Sequence, residues 1–346
     1  MPYKKIVIAT DGSPTAEHAQ RVAAAIAKAS RAQLILVHGC SHAEQGEAVA
    51  QKAKEQLQAE GVTPSTEVHE GDPVEILSEI ADRKDAGLIV VGSRGHNRAK
   101  RFFMGSVSHS LAHRAPCDVL IVRARGYTYT APDPNYKSVV VATDGSPTAD
   151  RAARKGLDLA RKIGASTTLV FVGHPSSGEP ILKDTLDAMG EGMDAKFRVV
   201  GGDPADRIVE VAEAERADLI VVGNKGMTGA SRFLLGSVPQ KVLEHANCDV
   251  LIARTITQVS TEIEKGEGGI VAVDGAKVAV YRNDDGELIA MSAKCTHMGC
   301  TVGWNSADKT WDCPCHGSRF KPDGKVIAGP AESPLGPIPA PASAEG

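Results

Sequence analysis

Four blocks of this sequence occur twice, in the same order. Residues 6–16 read IVIATDGSPTA and residues 139–149 read VVVATDGSPTA. GDPVEIL from Gly71 returns as GDPADRI from Gly202, and LIVVGSRG at 88–95 returns as LIVVGNKG at 219–226. RFFMGSVSHSLAHRAPCDVLIV at 101–122 then matches RFLLGSVPQKVLEHANCDVLIA at 232–253. The offset is 133 residues at the first block and 131 at the other three. Chance does not produce ordered blocks at one offset, so residues 1–125 and 137–254 are two copies of one domain. Whatever the first copy folds into, the second must fold into as well.

Each copy alternates short apolar runs with helical stretches. KIVIAT reads as a buried strand, Ser13 and Pro14 suit a helix cap and first turn, and TAEHAQRVAAAIAKAS follows with helical periodicity. QLILVH, STEVH, GLIVVG and CDVLIV read as further strands. Strand–helix alternation predicts an α/β fold with a parallel sheet covered on both faces, and runs such as LIVV fit burial on both sides. In such folds ligands sit beyond the carboxyl ends of the strands.

The unusual residues fall there. Asp11 and Asp144 follow the first strand of each copy. Gly92, Gly95, Gly105 and Ser106 follow the fourth strand and open the next helix, as do Gly223, Gly226, Gly236 and Ser237 in the second copy. Both sets fit G-x2-G-x9-G-S. Glycines let a backbone approach a phosphate closely, and amides at a helix N-terminus are anion donors. The pattern resembles the ATP-binding branch of the universal stress protein family, over the whole of both copies. The resemblance implies nucleotide-binding domains in which the Asp lies near ribose and adenine and the Gly/Ser loop holds the phosphates of ATP or a related adenine nucleotide. It also implies that the two copies pair with each other as an internal pseudo-dimer, with homo-oligomers a further option. As plain structure, the two Asp are turn residues and the glycines loop hinges. Arg94 and Lys225 lie inside the loops and either contact phosphate or are solvated. No Walker-type sequence or general base aimed at a γ-phosphate is evident, so binding does not imply hydrolysis. His18, on a polar helix face, and His38, at a strand end, read as structural or exposed, and Cys117 and Cys248 as core thiols.

After a short linker at 255–261 the character changes. Residues 262–340 read as a small all-β domain: GIVAVDGAKVAVYRNDDGELIAMSAKC gives short strands with Asp-Gly turns. Then come Cys295-Thr-His297-Met-Gly-Cys300 and, twelve residues later, Cys313-Pro-Cys315-His316-Gly-Ser318. Two loops thus supply one thiolate and one imidazole each, with a second Cys left over on each. Zinc is the alternative metal at such spacings, but the doubled motif, Gly299 and the GSRF continuation argue against it. The pattern resembles the Rieske family, whose 2Fe-2S clusters carry two His in place of two Cys on one iron. The resemblance implies that Cys295 and Cys313 hold one iron and His297 and His316 the other. It implies a Cys300–Cys315 disulfide as in high-potential members, and Gly329-Pro330-Ala331 as a third loop over the cluster. Ser318 matches the serine that donates to a bridging sulfide. Phe320 stands where high-potential members have a hydrogen-bonding tyrosine, which implies a potential below the top of the ~−150 to +300 mV range. Trp304 and Trp311 flank a turn and read as hairpin packing; residues 333–346 read as a flexible tail.

Charge narrows the partners. The net charge is −4; with residues 262–346 holding twelve acidic and eight basic side chains, the body is neutral and only the tail is acidic. That is no footprint for nucleic acid or an anionic membrane surface. The N-terminal apolar run is too short for a signal peptide and no stretch approaches a membrane span, so a cytoplasmic protein is expected. No flavin or nicotinamide fingerprint and no mononuclear iron site accompany the cluster motif. The expected function is a nucleotide-binding regulatory protein with a redox-active cluster rather than a stand-alone enzyme; the alternative is an electron-transfer component serving an unidentified redox partner protein.

Overall fold

The computed structural model describes residues 3–40, 43–94, 104–123, 133–190, 193–224, 235–254, 263–273 and 276–337. The chain divides into two compact units, Met1–Thr255 and Ile256–Gly346.

The first unit is the α/β fold expected from the repeats. The first copy runs β1 (Lys5–Ala9), α1 (Pro14–Ser30), β2 (Gln33–Cys40), α2 (Ala43–Ala59), β3 (Ser65–Glu70), α3 (Pro73–Arg83), β4 (Leu88–Gly92), α4 (Ser106–Arg114) and β5 (Asp118–Val122). The second copy repeats this as β6 (Ser138–Ala142), α5 (Pro147–Ile163), β7 (Ser166–Val172), α6 (Pro175–Asp187), β8 (Lys196–Val200), α7 (Pro204–Ala214), β9 (Leu219–Gly223), α8 (Ser237–His245) and β10 (Asp249–Ala253). Side chains alternate across a strand, and the two halves of each apolar run go to different layers. Ile6, Ile8, Leu34, Leu36 and Val90 pack with α1, α2, α5 and α6. Val7, Ile35, Val37, Ile89 and Val91 pack with α3, α4, α7 and α8. This two-sided burial is why the strands read as continuous apolar runs.

All ten strands form one sheet in the order β3-β2-β1-β4-β5-β10-β9-β6-β7-β8. Pairing is parallel within each copy and antiparallel where the copies meet, with Val119, Leu120 and Ile121 opposite Ile252, Leu251 and Val250. Within a copy the chain adds strands outward from β1 on one side, then crosses to β4 and β5 on the other. The strand order reverses between β1 and β4, and between β6 and β9, which opens a crevice at their carboxyl ends.

The second unit is antiparallel: a sheet of β11 (Glu267–Val273), β12 (Ala276–Arg282) and β13 (Leu288–Ser292), and another of β14 (Gly303–Asn305), β15 (Thr310–Asp312), β16 (Arg319–Phe320) and β17 (Val326–Ala328). The Asp274–Gly275 turn lies outside the described residues, whereas Gly286 makes the second hairpin turn at φ 92°. Trp304 and Trp311 are direct partners across the β14–β15 hairpin, edge to face at 4.9 Å. Fully buried Trp311 and Phe320 form a core with Cys295, Cys300 and Cys313. Residues 333–337, expected to belong to a flexible tail, are instead docked on the domain; residues 338–346 lie outside the described residues. Leu335 is buried, its amide donates to Gly324 O at 3.0 Å, and Pro337 bridges Met291. One apolar side chain docked on β13 overrides the Pro-rich composition there.

Candidate functional site

In each copy the turn after the first strand is built by the same bonds. Asp11 Oδ1 accepts the Ser13 amide at 2.9 Å, Gly12 takes φ 76°, and Ser13 Oγ caps α1 by accepting the Ala16 amide at 3.2 Å. Asp144, Gly145 and Ser146 do the same, at 3.0 Å for the Asp bond and 3.2 Å for the cap. One carboxylate oxygen of each half-buried Asp therefore shapes the turn. Beside it, Gly92 ends β4 so close to the first turn of α1 that a Cβ would lie 3.0–3.1 Å from Thr15. Gly105 donates its amide to Ser93 O at 2.8 Å and Gly236 to Asn224 O at 2.9 Å, which folds the start of α4 and α8 back over the ends of β4 and β9. Asp11, Gly92, Gly105 and Ser106 thus gather at one strand end, and Asp144, Gly223, Gly236 and Ser237 at the other; Gly95, Gly226 and Lys225 lie outside the described residues.

Among the helices whose N-caps are described, α4 and α8 differ from the others. α1, α3, α5, α6 and α7 each begin on a side chain that accepts from their first-turn amides: Ser13, Asp72, Ser146, His174 and Asp203. α4 and α8 begin on Gly105 and Gly236, with no side-chain capping bond. Helix N-termini leave amides that need an acceptor and carry partial positive charge. These two present them, with exposed Ser106 and Ser237, at the crevice mouth. His38 lies beneath, its Nδ1 2.7 Å from Thr10 O. His18, read as lying on a polar face, is buried.

The second constellation is made of two loops with the same turn. The Gly299 amide donates to Cys295 O at 2.8 Å and the Gly317 amide to Cys313 O at 3.1 Å; both glycines have positive φ, 80° and 72°. The Cys295 amide reaches Cys300 O and the Cys313 amide Ser318 O, each at 2.7 Å. A disulfide joins Cys300 to Cys315 across the loops. Cys295 and Cys313 are buried and adjacent, while the rings of His297 and His316 stand exposed, 4.9 Å apart and nearly perpendicular. Burial and the neighbouring Cys295 push the Cys313 thiol up, against the pull of the Cys315 and His316 amides aimed at its sulfur. Cys300, Cys313 and Cys315 offer sulfurs within 4.8 Å of one another, but two of these are spent in the disulfide. The thiols left to face a metal are Cys295 and Cys313, each beside one histidine.

A third loop closes over these. Gly329, at φ 94°, approaches so closely that a Cβ would lie 2.5 Å from Ser318 Cα and 2.8 Å from Gly317 O. The Ala331 amide donates to the wholly buried Ser318 hydroxyl at 3.2 Å, which leaves the hydroxyl its own proton to donate. Thr296 Oγ1 donates to Ser333 O at 2.5 Å and ties the first loop to the third. Arg319 Nε holds Asp312 Oδ1 at 3.0 Å and so braces the strands on either side of the Cys313 loop. Two buried thiols, two exposed imidazoles, inward-pointing amides and a covering loop fit a 2Fe-2S group with mixed ligands.

Sequence reasoning missed the groups at the meeting of the two copies. Asp118 and Asp249 are almost wholly buried at the starts of β5 and β10. Asp118 accepts from Tyr3 Oη at 3.0 Å, Lys155 Nζ at 2.8 Å and the Arg254 amide at 2.7 Å. Asp249 accepts from Tyr136 Oη at 2.9 Å and the Arg123 amide at 2.8 Å. The signal was the Cys-Asp pair at the head of an apolar strand in both copies, a charge where burial was expected.

Among the described residues no helix is long and apolar enough to cross a membrane. The universal stress protein family matches residues 2–123, 135–194 and 181–254, and the Rieske [2Fe-2S] domain matches residues 254–339. A universal stress protein of Methanocaldococcus jannaschii is 34% identical over 140 residues, covering 34% of this chain and 82% of that protein. YhfW of Bacillus subtilis, by name a Rieske 2Fe-2S iron-sulfur protein, is 44% identical over 111 residues, 30% of this chain; the chain spans only 22% of YhfW's length. A crystal structure of a universal stress protein from Archaeoglobus fulgidus shares the fold, with a TM-score of 0.61 and 20% identity, covering 72% of this chain and 98% of that one. The chain belongs to the universal stress protein family, with a Rieske [2Fe-2S] domain following its stress-protein repeats.

Proposed function

We propose that the protein binds an adenine nucleotide, ATP by preference, on each repeat, and that it is a stress-response regulator in which nucleotide occupancy and the redox state of a Rieske cluster influence each other. The observation that carries the nucleotide half is that, among the helices whose N-caps are described, α4 and α8 alone lack a side-chain cap. Those are the two helices that open on the Gly-Ser of the repeated motif, where a phosphate would satisfy the first-turn amides. Asp11 and Asp144 would face ribose and adenine from the turns they shape. The antiparallel β5–β10 pairing supports reading the repeats as an internal pseudo-dimer.

In the second unit, Cys295 and Cys313 would hold one iron and His297 and His316 the other. The bound cluster supplies one-electron transfer at a potential raised by its two neutral ligands. The exposed imidazoles give electrons a short path to a partner's surface, and the buried thiols keep the other side dry. Ser318 would donate its proton toward a cluster sulfide, positioned by the Ala331 amide. The second reading, an electron carrier for a partner oxidoreductase, is favoured by those exposed histidines alone and leaves two nucleotide sites without a task.

A redox titration of the purified protein followed by EPR, with and without ATP, separates the readings. Regulation requires a midpoint that moves when ATP is added. A Rieske signal indifferent to ATP leaves the carrier; no Rieske signal in protein holding iron and sulfide removes the ligand assignment itself.

A further inference from the structure

We propose that the two nucleotide sites are coupled to each other through Arg123 and Arg254, each of which links the loop of its own repeat to the phosphate-facing helix of the other. The inference rests on the nucleotide reading above.

Arg123 follows the last residue of β5. The carbonyl of its neighbour Val122 accepts the Ser93 amide at 2.8 Å, at the head of the first Gly loop. Its own amide is held by Asp249 of the second repeat at 2.8 Å, and its guanidinium donates to Leu243 O, in the last turns of α8. α8 is the helix opened by Gly236 and Ser237. Arg254 repeats the arrangement in reverse. The Ala253 carbonyl accepts the Asn224 amide at 3.0 Å, at the head of the second Gly loop. The Arg254 amide is held by Asp118 at 2.7 Å, and its guanidinium donates to Ala112 O at 3.0 Å near the end of α4. Each arginine therefore follows a residue whose carbonyl holds the head of its own repeat's loop, while its own amide and guanidinium are bonded to the opposite repeat.

The helices are short. From Ser106 to Ala112 is about 9 Å along the axis at about 1.5 Å per residue, so a restraint at the first turn reaches the clamped end within one rigid element. A phosphate on the first-turn amides of α4 restrains that helix. Arg254 passes the restraint to Ala253 and, through its carbonyl, to Asn224, so the head of the second site is already held when the second nucleotide arrives. Binding that orders part of what a second ligand must order gives positive cooperativity, and the coupling is equal in both directions.

ATP binding to the full chain, by calorimetry or equilibrium dialysis, reads this directly. A fivefold coupling between two sites gives a Hill slope of about 1.4. Unequal intrinsic affinities can only lower the slope, so a value above 1 requires coupling. We expect a slope above 1 at two ATP per chain, falling to 1 or below with both sites retained in Arg123→Met/Arg254→Met. A clamp that serves structure alone would lower thermal stability in that variant and leave the slope unchanged, which overturns the proposal, as does a wild-type slope of 1 or below. If the methionine variant does not fold, Arg123→Lys/Arg254→Lys keeps the charges but not the reach, and an unchanged slope there is equally fatal. A stoichiometry of zero would instead refute the nucleotide reading, and the coupling with it.

Discussion

Gly329→Ala tests whether the third loop is seated against the second ligand loop as closely as described. At φ 94° an alanine pays left-handed strain, about 1–2 kcal/mol. Its Cβ would also sit 2.5 Å from Ser318 Cα, 2.8 Å from Gly317 O and 2.9 Å from Ser318 N. These are backbone atoms that move only with the segment following His316. Overpacking of that kind costs a further 1–3 kcal/mol or so. Gly266→Ala is the matched control: φ is 75°, and the added Cβ meets only the Asp284 carboxylate at 3.3 Å, so strain alone applies. In a unit of this size each kcal/mol shifts the unfolding midpoint by about 4–8 °C. Thermal melts read by cluster absorbance, with iron per chain measured beforehand, should place Gly329→Ala at least one such step below Gly266→Ala and with less iron. Equal losses in the two variants would refute the packing argument.

Three further outcomes follow from the same structure. Asp118→Ala leaves the Tyr3 hydroxyl and the Arg254 amide buried without their acceptor; a loss of about 3–5 kcal/mol in chemical denaturation is expected, with Asp118→Asn intermediate, and a loss under about 1 kcal/mol would contradict the burial of this group. Burial raises the Glu67 carboxyl, but hydrogen bonds from Lys84 and His69 and the charge of Arg83 outweigh it and hold it below the ordinary glutamate value. A depressed folded value gives stability that is present above the ordinary value and lost as pH falls through the folded one, so the advantage of wild type over Glu67→Gln should be constant near neutrality and shrink in acid; an advantage that grows in acid would reverse the sign. Phe320→Tyr supplies a hydroxyl that the native chain lacks, and a hydrogen bond of about 0.5–1.5 kcal/mol favouring the reduced cluster would raise its midpoint by ~20–60 mV; an unchanged midpoint in voltammetry would show that position 320 does not face the cluster.

Much of this was readable from the chain. The strands and helices of each copy follow from apolar periodicity and from Ser-Pro and Asp-Pro starts, because those signals are local. The Cys and His of the second unit are legible because ligands to one group must sit at fixed spacing on two loops. What the sequence did not reveal is long-range. Nothing in CDVLIV or CDVLIA says that these strands pair antiparallel with each other, since both edges carry the same backbone groups. Asp118 and Asp249 drew no reading from the sequence, and only their tyrosine and amide partners, over a hundred residues away, explain their burial. For Asp11 the sequence left two alternatives open, a turn residue or a nucleotide contact, and the structure establishes the turn. Leu335, inside a Pro- and Ala-rich stretch, shows how a single docked side chain extends a domain beyond its composition.

The most direct test of the central claim is the ATP dissociation constant of the full chain with its cluster oxidised and with its cluster reduced. Because coupling is reciprocal, a tenfold ratio must match a midpoint shift of about 59 mV for a one-electron centre. Constants that differ at least threefold, and agree with the shift measured by EPR, are expected of a protein in which redox state and nucleotide occupancy influence each other. Equal constants in the two states would contradict that claim.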